Sequence, residues 1–368
     1  HEVKRVDFEN KKVIVKDLKG NEEFEDYYDK LMIATGASSI IPPIKNLDIE
    51  NVHTLKSMED GIRLKELFRD ENNKNIAIIG AGFIGLEAVE AAKKYGKKVS
   101  VFQLGDRILQ DVFDKEITDL LEEELRNHNV DLYLQESVTE IIGDKKVKRV
   151  KTPNREVEAD VVIIATGVRP NTEFLKNSNL EMLPNGAIIV DNYGKTSIED
   201  VYSAGDCATI TQIITGEKAY VPLATGANKL GRIVGENLAG ADIEFQGSLS
   251  SSCIKVMNME AGRTGITESK AKALNLNYKT VFINDMNATN YYPGQSKIYI
   301  KLIYDSESKV ILGGQVAGYK DAVQRVNVIA ACIYGKLTTK ELGMLDLCYA
   351  PPFARTWDAL NVAGNVCK

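Results

Sequence analysis

Short apolar, β-branched runs alternate along the chain with segments of helical period, and the pattern is sharpest between Asn75 and Gln103. Asn75–Ile79 is apolar after its first residue, as a strand covered on both faces would be. Gly80-Ala81-Gly82-Phe83-Ile84-Gly85 follows as a glycine turn. Leu86–Tyr95 then carries apolar residues at helical spacing until Gly96 ends it, and Lys98–Gln103 is a second strand. This order predicts a βαβ unit with a parallel sheet. Asp29–Gly36 reads as another buried strand ending in small residues, and its phrase D-x-x-x-I-A-T-G returns at Asp160–Gly167. The second copy closes the domain opened at Gly80. The same interval counted back from Ala34 falls before residue 1, so the first copy is expected to close a similar domain whose glycine turn precedes His1.

In that βαβ context, G-x-G-x-x-G points to a dinucleotide. Gly80 permits the tight turn, Gly82 lets backbone approach a pyrophosphate, and Gly85 lets helix and strand pack closely. The first helical N–H groups would face the phosphates, with Phe83 and Ile84 in the turn itself. Gln103 ends the second strand, where an acid would bind the adenosine ribose and a nearby arginine would favour NADP. A neutral glutamine does neither, so the coenzyme choice stays open, leaning to NADH because no basic cluster follows.

Elsewhere Val13–Val15 is a strand, Lys19–Asn21 a turn and Glu22–Tyr28 its return. Pro42-Pro43 marks an extended crossover. Helices are expected at Ser57–Arg69 and Asp114–Asn127, with Ser57 and Asp114 as their caps. Strands follow at Asp131–Leu134, Lys146–Lys151 and near Val201–Asp206, then a helix at Asn228–Leu238. From Leu249 the period shortens: Cys253–Met257, Lys279–Ile283, Lys297–Tyr304 and Val310–Ala317 alternate as strands, with Asp305–Lys309 as a hairpin turn. Helices close the pattern at Asp321–Tyr334 and Thr339–Leu342. The expected fold is α/β: two Rossmann-like dinucleotide-binding domains, the first incomplete (1–45 with 171–248) and the second at 46–170. An α+β domain at 249–368 follows.

The 368 residues are 44% hydrophobic and 27% charged with a net charge of −6, which argues against nucleic acid or an anionic membrane as partner. No apolar run reaches the roughly 20 residues of a membrane span. Five cysteines without a C-x-x-C fit a reducing cytoplasm and give no disulfide framework. Three unclustered histidines and the scattered thiols give no metal site.

Two A-T-G phrases, the glycine turn and Ser203-Ala204-Gly205-Asp206, in this order, make the chain resemble the FAD-dependent pyridine nucleotide–disulfide oxidoreductases. Tyr349-Ala350-Pro351-Pro352-Phe353, Trp357–Asn361 and Tyr291-Tyr292-Pro293-Gly294 are similar to the branch of CoA-disulfide reductases, NADH oxidases and NADH peroxidases. The resemblance implies FAD and NAD(P)H in successive domains and a homodimer formed through the third. It places Thr35, Gly36, Ala37, Gly205 and Asp206 against FAD, with Asp206 accepting from the ribityl chain, and Gly167 against NAD(P)H. Leu223 and Ala224 lead into a helix aimed at the flavin. Phe83 is either an aromatic gate over the flavin or a core aromatic, and Glu87 either meets nicotinamide or suits the helix end. Val112 is placed on the adenine or in the core, Lys56 at an FAD phosphate or in solvent. Asn228 and Tyr292 are candidate substrate contacts. Tyr349 would cross the dimer to the partner's flavin and donate a hydrogen bond to substrate sulfur. The branch's redox cysteine has no counterpart here and is expected in the preceding segment.

The implied function passes hydride from NAD(P)H through FAD and that cysteine to a small disulfide, such as CoA disulfide, or to polysulfide. The rivals are an NADH oxidase or peroxidase using O2 or peroxide, a reductase of a redox protein, and a non-catalytic NAD-binding, dimer-forming fragment.

Overall fold

A computed structural model describes every residue from His1 to Lys368. The chain forms two compact units, His1–Ser38 with Val168–Ser248 and Ser39–Gly167 with Leu249–Lys368.

The second unit is built on a parallel sheet whose strands run, edge to edge, Val52–Thr54, Val161–Ile164, Asn75–Ile79, Lys98–Gln103 and Val130–Leu134. Strand residues alternate between two cores. Ile76, Ile78, Val161 and Ile163 pack against helices Met58–Arg69, Phe83–Lys94 and Lys115–Asn127. Ala77, Ile79, Val162 and Ile164 pack on the other face with Ile141, Val147 and Val150. Those last three belong to a small antiparallel sheet, Glu140–Gly143, Val147–Lys151 and Glu156–Glu158, of which the sequence pattern marks the middle strand.

The second antiparallel sheet has the order Ser252–Val256, Met259–Gly265, Ile311–Gly318, Lys297–Asp305 and Tyr278–Met286. Met259–Gly265 is absent from the expected strands because Gly262 and Gly265 break its alternation, and glycine in a strand interior signals close approach rather than strand. The close approach is there. A Cβ on Gly262 would lie 2.9 Å from Val326, and one on Gly314 would lie 2.8 Å from Ile329. Both neighbours sit on the helix Ala322–Tyr334, which presses into the sheet through these glycines. The short helices Glu268–Ala273 and Ala359–Val366 also go beyond the sequence pattern.

This sheet and the nucleotide-type layer share one core, since Ile254, Val256, Met259, Ala261 and Ala317 join the cluster around Leu86 and Leu121. Polar groups tighten the junction. Asp114 stands at the N-terminal boundary of the helix Lys115–Asn127, as the sequence suggests, but its carboxylate does not cap that helix. It accepts instead from the N–H groups of Glu268 (2.9 Å) and Ser269 (3.2 Å), capping the helix Glu268–Ala273, and from the side-chain amide of Gln315. Ser57 does cap its own helix, in a reciprocal box with Asp60. Lys301, 1% exposed, reaches Glu116 at 2.8 Å, Glu268 at 2.6 Å and Asp114 at 3.6 Å.

In the first unit, Glu2–Asp7, Lys12–Lys16 and Glu23–Tyr27 form an antiparallel meander. Leu31–Ile33 pairs in parallel with Val201–Ser203, register Ile33 to Ser203. The helix Ala224–Leu238 packs Leu230 and Val234 into the core with Ile33, Val201 and Tyr202.

Burial works against the charge of Lys301, but its bonds to Glu116 and Glu268 and the charge of Asp114 outweigh it and raise its pKa. Its contribution is therefore complete below pH 10.5 and is lost only as pH rises through the folded value. Lys301→Met should lower stability in urea by about 3 kcal/mol, because it strands Asp114 without its cation. A loss below about 1 kcal/mol would contradict this.

Candidate active site

Both units bring small residues together at the carboxyl ends of parallel strands, where α/β sheets bind ligands. In the second unit Ile164 pairs with Ile79, so Ala165-Thr166-Gly167 emerges beside the turn at Gly80. Three glycines there have three different reasons. Gly80 has φ +103°, and a Cβ on it would lie 2.3 Å from the Ala165 carbonyl oxygen. A Cβ on Gly85 would lie 2.0 Å from the Gly80 carbonyl. Gly82 has an ordinary φ of −83°, and a Cβ on it would meet nothing within 4 Å. Nothing in the protein requires that residue to lack a side chain, so the clearance suits an incoming ligand. Gly82 precedes the helix Phe83–Lys94, which has no side-chain cap, and the leading N–H groups of such a helix lack intrahelical partners. Clearance, free donors and helix dipole together fit a pyrophosphate.

The helix starts at Phe83 rather than Leu86, which moves Glu87 from the first turn to the second. Its carboxyl is raised above the usual range by burial and by the charge of Glu90. It stands at the lip of a mostly apolar groove of about 390 Å³ between the two helices, floored by Leu55, Leu64 and Phe68. Phe83 and Val112 are half-buried and pack on the core, and Ile84 is also half-buried. Gln103 is committed to the turn, where its Oε1 accepts from the Ala81 N–H at 3.0 Å. Lys56 is exposed, and its backbone N–H donates to the Asp60 carboxylate at 3.0 Å.

In the first unit the pairing of Ile33 with Ser203 sets Thr35-Gly36-Ala37 beside Gly205-Asp206. Gly36 (φ +68°) and Gly205 (φ +88°) would each place a Cβ in open space. Asn171, which the sequence pattern does not single out, clamps the first loop. Its N–H donates to the Gly36 carbonyl, its Nδ2 to the Thr35 carbonyl, and its own carbonyl accepts from Thr35 Oγ1 at 2.7 Å. Ala37 is buried in the strand Ala37–Ser39. Tyr220 is a second addition. Its hydroxyl is buried without a partner, and burial with the nearby Asp206 charge pushes the phenol up to about 12. An orphaned donor beside Asp206 fits a polar ligand chain. Leu223 is the boundary residue of the helix Ala224–Leu238, which begins with no side-chain cap. Asn228 lies exposed in its second turn, not its first.

In the third region the hydroxyl of Tyr349 lies 2.7 Å from that of Tyr291. The sequence singles out Tyr292, but the neighbour is the residue that meets Tyr349, and Tyr291 is the more exposed of the two at 68% against 44%. The five cysteines are free. Cys207 is fully buried under Ile33 and Ala204, and burial raises Cys332 and, to about 11, Cys367. No group of His, Cys, Asp and Glu could hold a metal ion, and no helix is long and apolar enough to cross a membrane.

Residues 1–231 match the family model of the pyridine nucleotide-disulphide oxidoreductases, and residues 251–360 match that family's dimerisation domain. The chain belongs to this family. It is accordingly a flavin-dependent NAD(P)H oxidoreductase with a C-terminal dimerisation domain. Among its relatives is the NAD(P)H coenzyme A polysulfide/persulfide reductase of Pyrococcus horikoshii, 39% identical over 97% of this chain and 79% of that protein. Among solved structures, the NAD-dependent persulfide reductase from A. fulgidus is 36% identical with a TM-score of 0.93, covering 99% of this chain and 67% of that one. The water-forming NADH oxidase from Lactobacillus brevis, solved bound to NADH, is 33% identical with the same TM-score, covering 99% and 80%.

The glycines of the family turn can be separated by substitution. Gly82→Val should leave stability within about 1 kcal/mol of the parent while weakening NADH binding tenfold or more, read by quenching of nicotinamide fluorescence. Gly80→Ala should instead lower stability by roughly 3 kcal/mol. Equal coenzyme affinity in Gly82→Val would remove the pyrophosphate from this turn.

Proposed function

We propose that the protein reduces a small disulfide such as CoA disulfide, or polysulfide, at the expense of NADH or NADPH. When bound, FAD supplies the two-electron relay between nicotinamide and acceptor. The chain's own residues bind and orient. The Gly80–Gly85 turn and the start of the helix Phe83–Lys94 hold the coenzyme pyrophosphate, with Gly167 beside them. Glu87, whose carboxyl is raised by burial and by the charge of Glu90, is suited to hydrogen-bond the nicotinamide carboxamide. Thr35, Gly36, Ala37, Gly205 and Asp206 would hold the flavin chain, and the uncapped start of the helix Ala224–Leu238 would offer a positive helix end to an electron-rich flavin.

The observation that carries the choice of acceptor is the phenol pair. Tyr349 is partly exposed on the family's dimerisation domain, and its hydroxyl, bonded to that of Tyr291, can donate onward to a thiolate or sulfur. Residues 249–368 are read as joining two copies, with each Tyr349 serving the other copy's site. Free cysteines without disulfides favour a cytoplasmic setting.

The purified protein should show flavin absorbance and consume NADH or NADPH when CoA disulfide or polysulfide is added, with O2 alone supporting less than a tenth of that rate. Tyr349→Phe should lower the disulfide-dependent rate on the order of 100-fold with coenzyme KM unchanged. Equal rates on O2 alone would replace this reading with an NADH oxidase.

A further inference from the structure

The loop bearing Tyr291 (287–296) and the loop bearing Tyr349 (345–358) are far apart in sequence, yet one buried side chain holds both. Arg325 lies in the helix Ala322–Tyr334 and is 7% exposed. Its Nε donates to both carboxylate oxygens of Asp358 at 3.1 Å, and its Nη2 to Asp358 Oδ2 at 2.7 Å. The same Nη2 donates to the carbonyl of Asn287 at 3.0 Å and of Phe353 at 3.4 Å, while Nη1 donates to the Asp321 carbonyl at 3.3 Å.

The carbonyls of Asn287 and Phe353 belong to the residues that close the two loops. Asn287 donates its N–H to the Ser296 carbonyl at 2.9 Å and accepts the Ser296 N–H on Oδ1 at 2.7 Å. Phe353 donates to the Ala350 carbonyl at 2.9 Å, closing the turn just after Tyr349. Asp358 is itself fixed as the cap of the helix Ala359–Val366, accepting from Leu360 at 2.9 Å. Where the loops meet directly, Thr289 Oγ1 donates to the Pro351 carbonyl at 3.2 Å and the two phenols share their bond.

A buried ion pair is a poor device for stability alone, because apolar residues of similar volume do as well or better. It is a good device for fixing geometry. A guanidinium offers its donors in a rigid planar fork, which a lysine ammonium cannot reproduce. We propose that Arg325 is a positioning residue for the reaction: seated on Asp358, its guanidinium holds the two loops at the separation where Tyr291 and Tyr349 meet. The proposal rests on the assignment of Tyr349 to the acceptor, and the test separates the two.

The readout is the Cζ resonance of Tyr291 in the flavin-loaded protein labelled with ¹³Cζ-tyrosine, assigned with Tyr291→Phe. In the parent, the bond that Tyr291 makes to Tyr349 raises the Tyr291 phenol above its ordinary 10.0. Tyr349→Phe calibrates loss of that bond. Arg325→Lys keeps a cation opposite Asp358 without the fork. The double variant Arg325→Met, Asp358→Asn removes both charges and leaves an Asn to cap the last helix. Both variants should keep the parent's near-ultraviolet circular dichroism, move the Tyr291 titration down to its Tyr349→Phe position, and lose at least tenfold in disulfide turnover at unchanged coenzyme KM. An unmoved Tyr291 titration in either folded variant overturns the proposal. Loss of fold in both does so too, because the pair would then serve the core. Full turnover in Tyr349→Phe, with Tyr291 still responding to Arg325, overturns the role of Tyr349 instead.

Discussion

A carbonyl oxygen occupies the place where a side chain would begin. The Ala165 carbonyl lies 2.3 Å from the position of a Cβ on Gly80, and the Gly80 carbonyl lies 2.0 Å from that of a Cβ on Gly85. The two strand ends and the helix start can converge only because these positions carry no side chain. That convergence sets the uncapped N-terminus of the helix Phe83–Lys94 at the carboxyl edge of the sheet, in front of the gap left by Gly82. The chemistry of a nucleotide oxidoreductase depends on such a gap being present before any ligand arrives.

The first unit solves the same problem with different parts. Its small-residue loop beside Asp206 is fixed from outside by Asn171, whose backbone and side chain both engage residues 35 and 36. A repeated phrase in the sequence therefore corresponds to a repeated placement, a strand end of small residues next to a second strand end. The groups that stabilise each copy are not repeated.

Much of this was legible in the residues. The βαβ unit, the repeat, the helix Met58–Arg69 with its Ser57 cap and the hairpin at Asp305–Lys309 follow from periodicity and turn chemistry. The failures have physical causes. Asp114 has the right residue type and place for a cap, but a neighbouring helix from far along the chain competes for the carboxylate and wins. Met259–Gly265 forms a strand although its glycines argue locally against it, because the helix Ala322–Tyr334 needs them small. Tyr291 and Tyr292 are adjacent in an aromatic motif, and which one meets Tyr349 depends on the fold of two loops. Asn171 and Arg325 act through backbone carbonyls, which leave no trace in a motif.

Asp114 also bears on how freely the parts of this chain can be recombined. The nucleotide-type layer and the antiparallel sheet look like separate modules in sequence, with a change of period at Leu249. Yet they share apolar core residues, and an acid from one seals the helix end of the other. Excising either module would bare that core, and without Asp114 the Glu268 and Ser269 N–H groups would lose their acceptor, leaving Thr267 alone to cap the helix Glu268–Ala273. Grafting a foreign coenzyme module onto this dimerisation half would succeed only with a donor that brings its own Asp114 and apolar seam.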